Sequence, residues 1–269
     1  MPLAESARRE GSDDYALQTN LNAAQVYHNQ FTAQNGSLRV GSGRLNATGS
    51  SNVIWSFLKS PGFFDVVIYD GDGTDDREIA HNLGSAPGCI IVKRYDEPGD
   101  WYVWHRDAVY NGFRKEYRLN GSNSWINSAG FTTSVAEQNA GVFTLQDGPL
   151  NTVGAQYVAY VFGNDTSSDG FIRCGGYAGA SGSPSKTIDL GWEPQWLFGL
   201  SSAIATPELI FDAARGWTKG LSPNSDAAEI TTSIVTPLAT GFRAEAGQHS
   251  FNGEANDRFQ FIAVRKPGA

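Results

Sequence analysis

An internal duplication is the feature of this sequence that most constrains its fold. The string GFFDVVIYDGDGTDDREIAHNLGSAPGCIIVK begins at Gly62, and the similar string GFIRCGGYAGASGSPSKTIDLGWEPQWLFGL begins at Gly170. The matched positions keep a nearly constant spacing: Gly62, Phe63, Tyr69, Leu83, Gly84 and Pro87 recur as Gly170, Phe171, Tyr177, Leu190, Gly191 and Pro194. Self-similarity of this kind predicts two copies of one structural module.

The end of the module occurs three times, whereas its beginning occurs twice. The closing segment Val142–Phe162 is similar to Gly241–Val264 and also to Gln30–Phe57. The predicted parts are therefore an N-terminal arm with one leftover closing hairpin, a first module and a second module, over residues 1–58, 62–163 and 170–266. Pro, Gly and Ser between these parts are typical of linkers.

Strand patterns fill both modules. The segments FFDVVIY, DWYVWHR and RFQFIAVR alternate apolar and polar residues or are wholly apolar, and Gly, Pro, Asn or Asp bounds each of them. Their spacing predicts an all-β fold of two tandem β-sandwich modules of the jelly-roll type. The one helical pattern is Asp13–Phe31, where Leu17, Leu21 and Ala24 share a face, so the arm is predicted to contain one helix.

Charge and cysteine content exclude several classes of protein. Acidic residues outnumber basic ones by 28 to 20, which disfavours nucleic acid as a partner. No apolar run is long enough to insert into a membrane. Two cysteines are too few for a disulfide framework, and the opening residues lack the apolar core of a signal peptide, so we expect assembly in a reducing cytoplasm. No cofactor motif is present in the sequence.

The loop YDGDGTDDREIAH is a candidate calcium site. Asp70, Asp72 and Asp75 supply oxygen ligands on a glycine-bent segment, as calcium loops do. The spacing departs from the EF-hand pattern, and the second copy of the loop contains no carboxylate before Asp189. A hairpin turn is therefore the favoured interpretation, because Asp and Gly also favour plain turns.

The sequence predicts that the protein is not an enzyme. No two of the four histidines have metal-ligand spacing, and His105 aligns with Phe211 of the second copy. Most carboxylates that could serve a glycosidase, such as Asp96 and Asp100, fall in turns where Asp is favoured by local hydrogen bonds. A glycan depolymerase is the one enzymatic alternative that stays open.

Aromatic residues make a sugar-binding surface the strongest candidate site. Trp101, Trp104, Trp125 and Trp217 are the candidate ligand-binding residues, with core packing or a protein interface as the alternatives. The most chemically varied surface candidate is the segment Asp107–Trp125, which is accompanied by Arg106, Arg114, Lys115 and Arg118.

The ordered strings GFFDVVIYDGDGT, IAHNLGSAPGCIIVKR, VWHR and YVAYVFG resemble a domain of phage tail-fibre-type and other virion structural proteins, especially those of marine and cyanobacterial phages. The similarity extends over residues 62–266 and includes PELIFDAARGWTKGLSPNSDAAE in the second copy. It implies a structural role and brings no catalytic motif. Residues 1–58 do not resemble a full preceding module, so the resemblance leaves open how the chain attaches to the particle.

This resemblance implies a non-enzymatic protein of the virion, assembled in the host cytoplasm, most simply part of a tail fibre, baseplate or adhesion apparatus. The arm would dock on other virion proteins, and the chain would form a homo-oligomer, a trimer or hexamer set by the symmetry of the particle. Two alternatives are a carbohydrate-binding protein that recognises a host surface glycan, and a head spike or capsid decoration protein.

Overall fold

The structure is a computed structural model. It describes residues 4–5, 15–19, 21, 23–27, 31–34, 37–40, 48–49, 51–110, 113–121, 126–127, 129–131, 138–180, 184–201, 208–247, 249–255 and 257–268. The all-β sandwich prediction is confirmed. The described part of the chain holds antiparallel sheets and a single helical turn, α1, at His249–Asn252.

Residues 62–163 form a six-stranded sheet and a two-stranded sheet. Their strands are β6 (Phe64–Asp70), β7 (Arg77–Ala80), β8 (Cys89–Arg94), β9 (Trp101–Tyr110), β10 (Phe113–Arg118), β11 (Ile126–Asn127), β12 (Val142–Leu145) and β13 (Gln156–Phe162). The order in the large sheet is β11-β10-β9-β8-β13-β6, and β12 pairs with β7 in the small one.

Residues 170–266 repeat this order. Their strands are β14 (Ile172–Ala178), β15 (Lys186–Asp189), β16 (Pro194–Ser201), β17 (Leu209–Asp212), β18 (Lys219–Gly220), β19 (Ile230–Thr231), β20 (Val235–Leu238), β21 (Gly241–Ala244) and β22 (Arg258–Arg265). The large sheet runs β17-β16-β22-β14, a bridge between Ile210 and Leu221 connects it to the pair β18-β19, and the small sheet runs β15-β21-β20.

The repeat extends to individual side chains. Tyr69 on β6 stacks on its cross-strand partner Tyr157 at a centroid distance of 5.1 Å, and Tyr177 on β14 stacks on its partner Phe259 at 5.4 Å. Each tyrosine hydroxyl donates to a backbone carbonyl: that of Tyr69 bonds Leu150 and that of Tyr177 bonds Phe251. The same packing and hydrogen bonding therefore hold the end of the first strand in both copies.

Three hydrophobic cores lie between the sheets. The two large sheets face each other across a central core, to which the first copy contributes Trp101 and Phe162 and the second contributes Trp196 and Ile262. The other two cores lie on the outer faces of the large sheets, under the small sheets. The layers therefore run small sheet, large sheet, large sheet, small sheet, and burial of the central core requires both copies.

The arm contains strands where the sequence predicted a helix. β1 (Ala4–Glu5), β2 (Tyr15–Gln18) and β3 (Val26–Tyr27) form one small antiparallel sheet, while β4 (Phe31–Gln34) and β5 (Ser37–Val40) form a hairpin.

The predicted helix over Asp13–Phe31 is therefore wrong for the described residues. The segment contains weak helix formers at Thr19, Asn20 and Asn22. Leu21, which belongs to the expected apolar face, is 44% exposed. Strand pairing and contacts with the body of the protein replace helical hydrogen bonds, since the Gln25 amide donates to the Tyr95 carbonyl.

The segment Ser51–Ser60, called here the strap, crosses both copies without forming the predicted closing strand. Phe57 packs on Phe64 and Phe162 of the first copy and on Trp196 of the second, with ring centroids 5.2–5.8 Å apart. The Trp55 indole donates to Asp212 at 3.1 Å. In this third occurrence of the closing pattern, aromatic side chains packed between the two large sheets replace the backbone hydrogen bonds of a strand.

Candidate functional site

The two described histidine side chains are neutral parts of the fold. His105 is fully buried on β9, where Nε2 donates to the Phe261 carbonyl at 3.1 Å and Nδ1 accepts from the Asp107 amide. His81 repeats the arrangement with Asn139 and Leu83. Burial lowers the pKa of both, that of His105 to about 3. Both rings therefore have their nitrogens committed to backbone groups.

The strand ladders also change the alignment of His105. Trp104 pairs with Ile90 on β8, and Phe211 pairs with Leu197 on β16. Ile90 and Leu197 occupy equivalent positions beside β13 and β22. Trp104, and not His105, is therefore the counterpart of Phe211.

Buried carboxylates hold backbone and cationic groups in place. Glu116 on β10 is fully buried, and its Oε1 accepts from the amides of Ala129, Gly130 and Phe131 at 2.9–3.3 Å. Asp65 on β6 accepts from Lys59 at 2.8 Å and from the Asn82 amide at 2.7 Å. These carboxylates act as anchors between segments of the fold.

Glu208, at the start of β17, is different. It is 5% exposed, its Oε2 has no hydrogen-bond partner, and burial raises its pKa to about 7 against the opposing effect of hydrogen bonds that include one with Asn224. A carboxyl group of this kind is partly protonated near neutral pH. It gives the molecule a titratable group in the physiological range.

The acidic loop is a turn held by its own hydrogen bonds. The Asp72 carboxylate accepts from the backbone and hydroxyl of Thr74 and from Asn151, all at 2.7–3.0 Å, and these bonds lower its pKa to about 2. Asp75 accepts from the Asp147 amide, and Asp70 accepts from Gln156. No metal-binding group of three His, Cys, Asp or Glu side chains occurs within the described residues.

The predicted tryptophan site is dispersed. Trp101 lies in the central core, where it stacks on Tyr160, and Trp104 lies in the outer core of the first copy beneath Arg114. Both are buried, so a ligand in solution does not reach their faces. Trp217 is half-buried against the outer core of the second copy, and Trp125 lies outside the described residues.

Among the described residues of the first copy, the exposed aromatic side chains lie instead on the β9–β10 hairpin. β9 pairs with β8 only as far as His105, and beyond that point it pairs with β10 alone. Tyr110 and Phe113 form the last cross-strand pair, and they are 38% and 70% exposed. The tip of this hairpin, defined here as Arg106–Tyr110 with Phe113–Lys115, is the candidate functional site.

Two guanidinium groups lie at the base of the tip. Arg114 stacks over Trp104 at 5.7 Å and donates to the Arg106 carbonyl. Burial lowers the pKa of the Arg114 guanidinium, Asp107 raises it, and the positive charge of Arg106 lowers it again. Arg106 and Asp107 are 3.9 Å apart. Two cations therefore share one nearby carboxylate.

Hydrogen bonds fix the base of the hairpin to the second copy. Gln260 on β22 donates to the Asp107 carbonyl at 3.3 Å and accepts from the Tyr117 hydroxyl. The hairpin is thus held at its base by both large sheets, while its end reaches solvent. Such support positions exposed side chains on a rigid base.

Tyr110 and Phe113 lie inside the predicted surface segment Asp107–Trp125, but neither was among the predicted ligand-binding residues, although the sequence contains a signal for them. Asn111-Gly112 between two β-rich runs is the strongest short-range hairpin signal. It places the flanking Tyr110 and Phe113 at the end of a hairpin, where side chains reach solvent. Two of the predicted tryptophans, Trp101 and Trp104, are instead core residues.

Comparison with known proteins finds a matching family. A family described as a domain of unknown function, DUF7483, matches residues 12–266, a range that includes arm strands, the strap and both copies. No curated protein and no solved structure matches the chain. Within the described residues, no helix has the length and apolar character needed to cross a membrane. The chain belongs to the DUF7483 family.

Proposed function

We propose that this chain is a non-enzymatic structural protein of a phage virion, most simply of the tail, that docks through its N-terminal arm and displays the two sandwiches outward. The ordered sequence strings that resemble virion modules supply the biological context. The structure contributes the observation that carries a display role: the two sandwiches share one central core and are joined by the strap. A body built in this way holds a surface feature in a fixed orientation relative to its attachment point.

The buried polar groups support a structural role. His81, His105, Glu116 and Asp65 are buried titratable groups, and each binds backbone amides or carbonyls of other segments. Their positions are explained by the stability of the fold. The arm would supply the contact with other virion proteins and with further copies of the chain, in a trimer or hexamer.

Localisation on the particle tests this proposal. An antibody raised against the recombinant chain would be applied to phage particles produced by the encoding genome and purified by density gradient, followed by immunogold electron microscopy. Gold at the tail supports the proposal, and gold on the head supports the decoration or spike alternative. Protein confined to the lysate fraction that lacks particles would overturn a virion role.

The arm has a separate test. Full-length protein and a variant that begins at residue 51 would be compared by mass measurement in solution. An oligomer for the full chain and a monomer for the shortened chain support oligomerisation through the arm. A monomer in both cases argues against it.

A further inference from the structure

The tip is a longer paired hairpin than its counterpart in the second copy. In the second copy, β17 pairs with β16 over Leu209–Asp212 and then enters a turn at Ala213. In the first copy, β9 continues from His105 to Tyr110 and returns through Phe113. The base of this extension packs on the second copy, since Ala108 is buried in the central core, whereas Tyr110 and Phe113 at its end are exposed and lie outside the shared cores.

The tip places solvent-exposed aromatic rings close to guanidinium groups. Phe113 and Tyr110 expose ring surface. In the second copy, the described turn that follows β17 has no exposed pair of aromatic side chains. Arg106 has a side chain 36% exposed and lies beside Arg114. Aromatic faces accept the apolar face of a sugar ring, and guanidinium groups bind carboxylate or sulfate oxygens in a bidentate manner.

From this arrangement we infer that the tip binds an acidic polysaccharide, with sugar rings on Phe113 and Tyr110 and a carboxylate or sulfate on Arg106. The inference deepens the proposed function, because it names the surface and the ligand class through which a displayed protein would adhere to a host. It does not depend on the chain's position in the particle.

Charge complementarity favours an acidic ligand over a neutral one. The whole chain carries a net charge of −8, so a polyanion is repelled from most of its surface and attracted only where cations outnumber carboxylates. Among the described residues, Asp107 is the carboxylate that acts on the Arg106–Arg114 pair, and Glu116 is buried and bonded to backbone amides. Arg114 is held by its stacking on Trp104, which fixes the positive charge at the base of the tip.

Binding of full-length protein to defined polysaccharides tests the inference. The probes are alginate, a polyuronate, and dextran sulfate, with neutral dextran for comparison and single-stranded DNA as an unrelated polyanion. Affinity electrophoresis or calorimetry should show binding to one or both acidic polysaccharides, with affinity falling as salt is raised. Dextran should bind at least tenfold more weakly than the preferred acidic probe.

Matched variants locate the site. Phe113→Ala and Arg106→Ala should each reduce affinity for the acidic probe at least tenfold. The control for the first is Phe171→Ala, which removes a ring that is 67% exposed in the second copy. The control for the second is Arg243→Ala, which removes a guanidinium whose side chain is 42% exposed on the small sheet of the second copy. Both controls should bind as the wild type does, and unchanged melting temperatures would show that all four variants fold.

Several results would overturn the inference. One is equal binding to dextran, which would indicate a neutral-sugar site; another is equal binding to DNA, which would indicate general polyanion attraction. Binding that survives both tip variants, or no binding to any polysaccharide, would also overturn it. The immunogold experiment can succeed in each of these cases, so failure here is distinguishable from failure of the proposed virion role.

Discussion

Glu116 shows how a single buried charge organises the first sandwich. Its Oε1 accepts three successive backbone amides, from Ala129 to Phe131, in a segment that otherwise makes few ladder bonds. We expect Glu116→Ala to lower the free energy of unfolding by about 3 kcal/mol, because it leaves buried amides without an acceptor. Urea denaturation measures this change.

The conservative variant separates the hydrogen bonds from the volume of the side chain. Glu116→Gln keeps an oxygen at the same position, so it should retain more stability than Glu116→Ala. A loss below about 1 kcal/mol for Glu116→Ala would contradict the anchoring role, given the usual penalty for a buried unsatisfied amide.

At the residue scale, the repeat in the sequence predicted some equivalent positions correctly and placed others out of register. Tyr69 and Tyr177 were matched by spacing, and their packing is the same in both copies. His105 was matched one position out of register, because strand pairing and not sequence similarity fixes which side chains are opposite each other. The hydrogen bonds of Glu116 join residues that local patterns do not relate.

At the scale of elements, the strap differs most from its sequence prediction, because a closing strand was predicted and residues 51–59 form no strand. Its resemblance to a closing strand reflects the spacing of apolar residues, which is shared by strands and by extended segments that insert aromatic rings between sheets. The arm shows the same limit, since three apolar residues at helical spacing did not outweigh poor helix formers between them. Tertiary contacts decided both cases.

The strap should contribute strongly to stability although it has few ladder bonds. Phe57→Ala removes a ring that contacts both copies, and we expect a loss of about 2–3 kcal/mol in the free energy of unfolding, below the value for a fully buried phenylalanine. Leu58→Ala is the control, because Leu58 is 81% exposed. Equal free energies of unfolding for the two variants, measured in urea, would show that Phe57 does not stabilise the contact between the two copies.

Trp55 offers a finer test of the strap. Its indole donates to Asp212, and Arg215 lies 5.3 Å above its ring. Trp55→Phe keeps a ring for Arg215 and removes the hydrogen bond, so the expected loss is about 1–2 kcal/mol, as for a bond to a charged partner. A loss as large as that of Trp55→Ala would assign the effect to packing alone.

At the scale of the whole molecule, the shared core predicts that the two copies unfold together. Tyr117 bonds Gln260 and His105 bonds Phe261 across the central core, so neither copy keeps its buried face when the other unfolds. We expect one calorimetric transition for the full chain, and exposed apolar surface that binds a hydrophobic dye in isolated residues 62–163 or 170–266. Two resolved transitions would indicate independent modules, the arrangement that the tandem repeat alone suggests.

Two buried groups give the whole molecule opposing responses to pH. The folded-state pKa of His105 lies below its usual 6.5, at about 3, so the unfolded chain binds the proton more tightly and stability from this group is lost as the pH falls below 6.5. The folded-state pKa of Glu208 lies above its usual 4.5, at about 7, so stability from this group is present below pH 4.5 and is lost as the pH rises through 7. His81, with its lowered pKa, acts in the same direction as His105.

Substitution of either group should reveal the response of the other. Between pH 7.5 and 5, each contributes a change of about 2 kcal/mol in the free energy of unfolding, with opposite signs. Relative to the wild type, Glu208→Gln should therefore lose about 2 kcal/mol more on acidification, and His105→Gln should lose about 2 kcal/mol less. Urea denaturation of the three proteins at the two pH values measures these differences, and the comparison of slopes removes any pH-independent cost of each substitution. If Glu208→Gln has the pH profile of the wild type, Glu208 does not hold its proton in the folded state, and the buried carboxyl group has no role in the response.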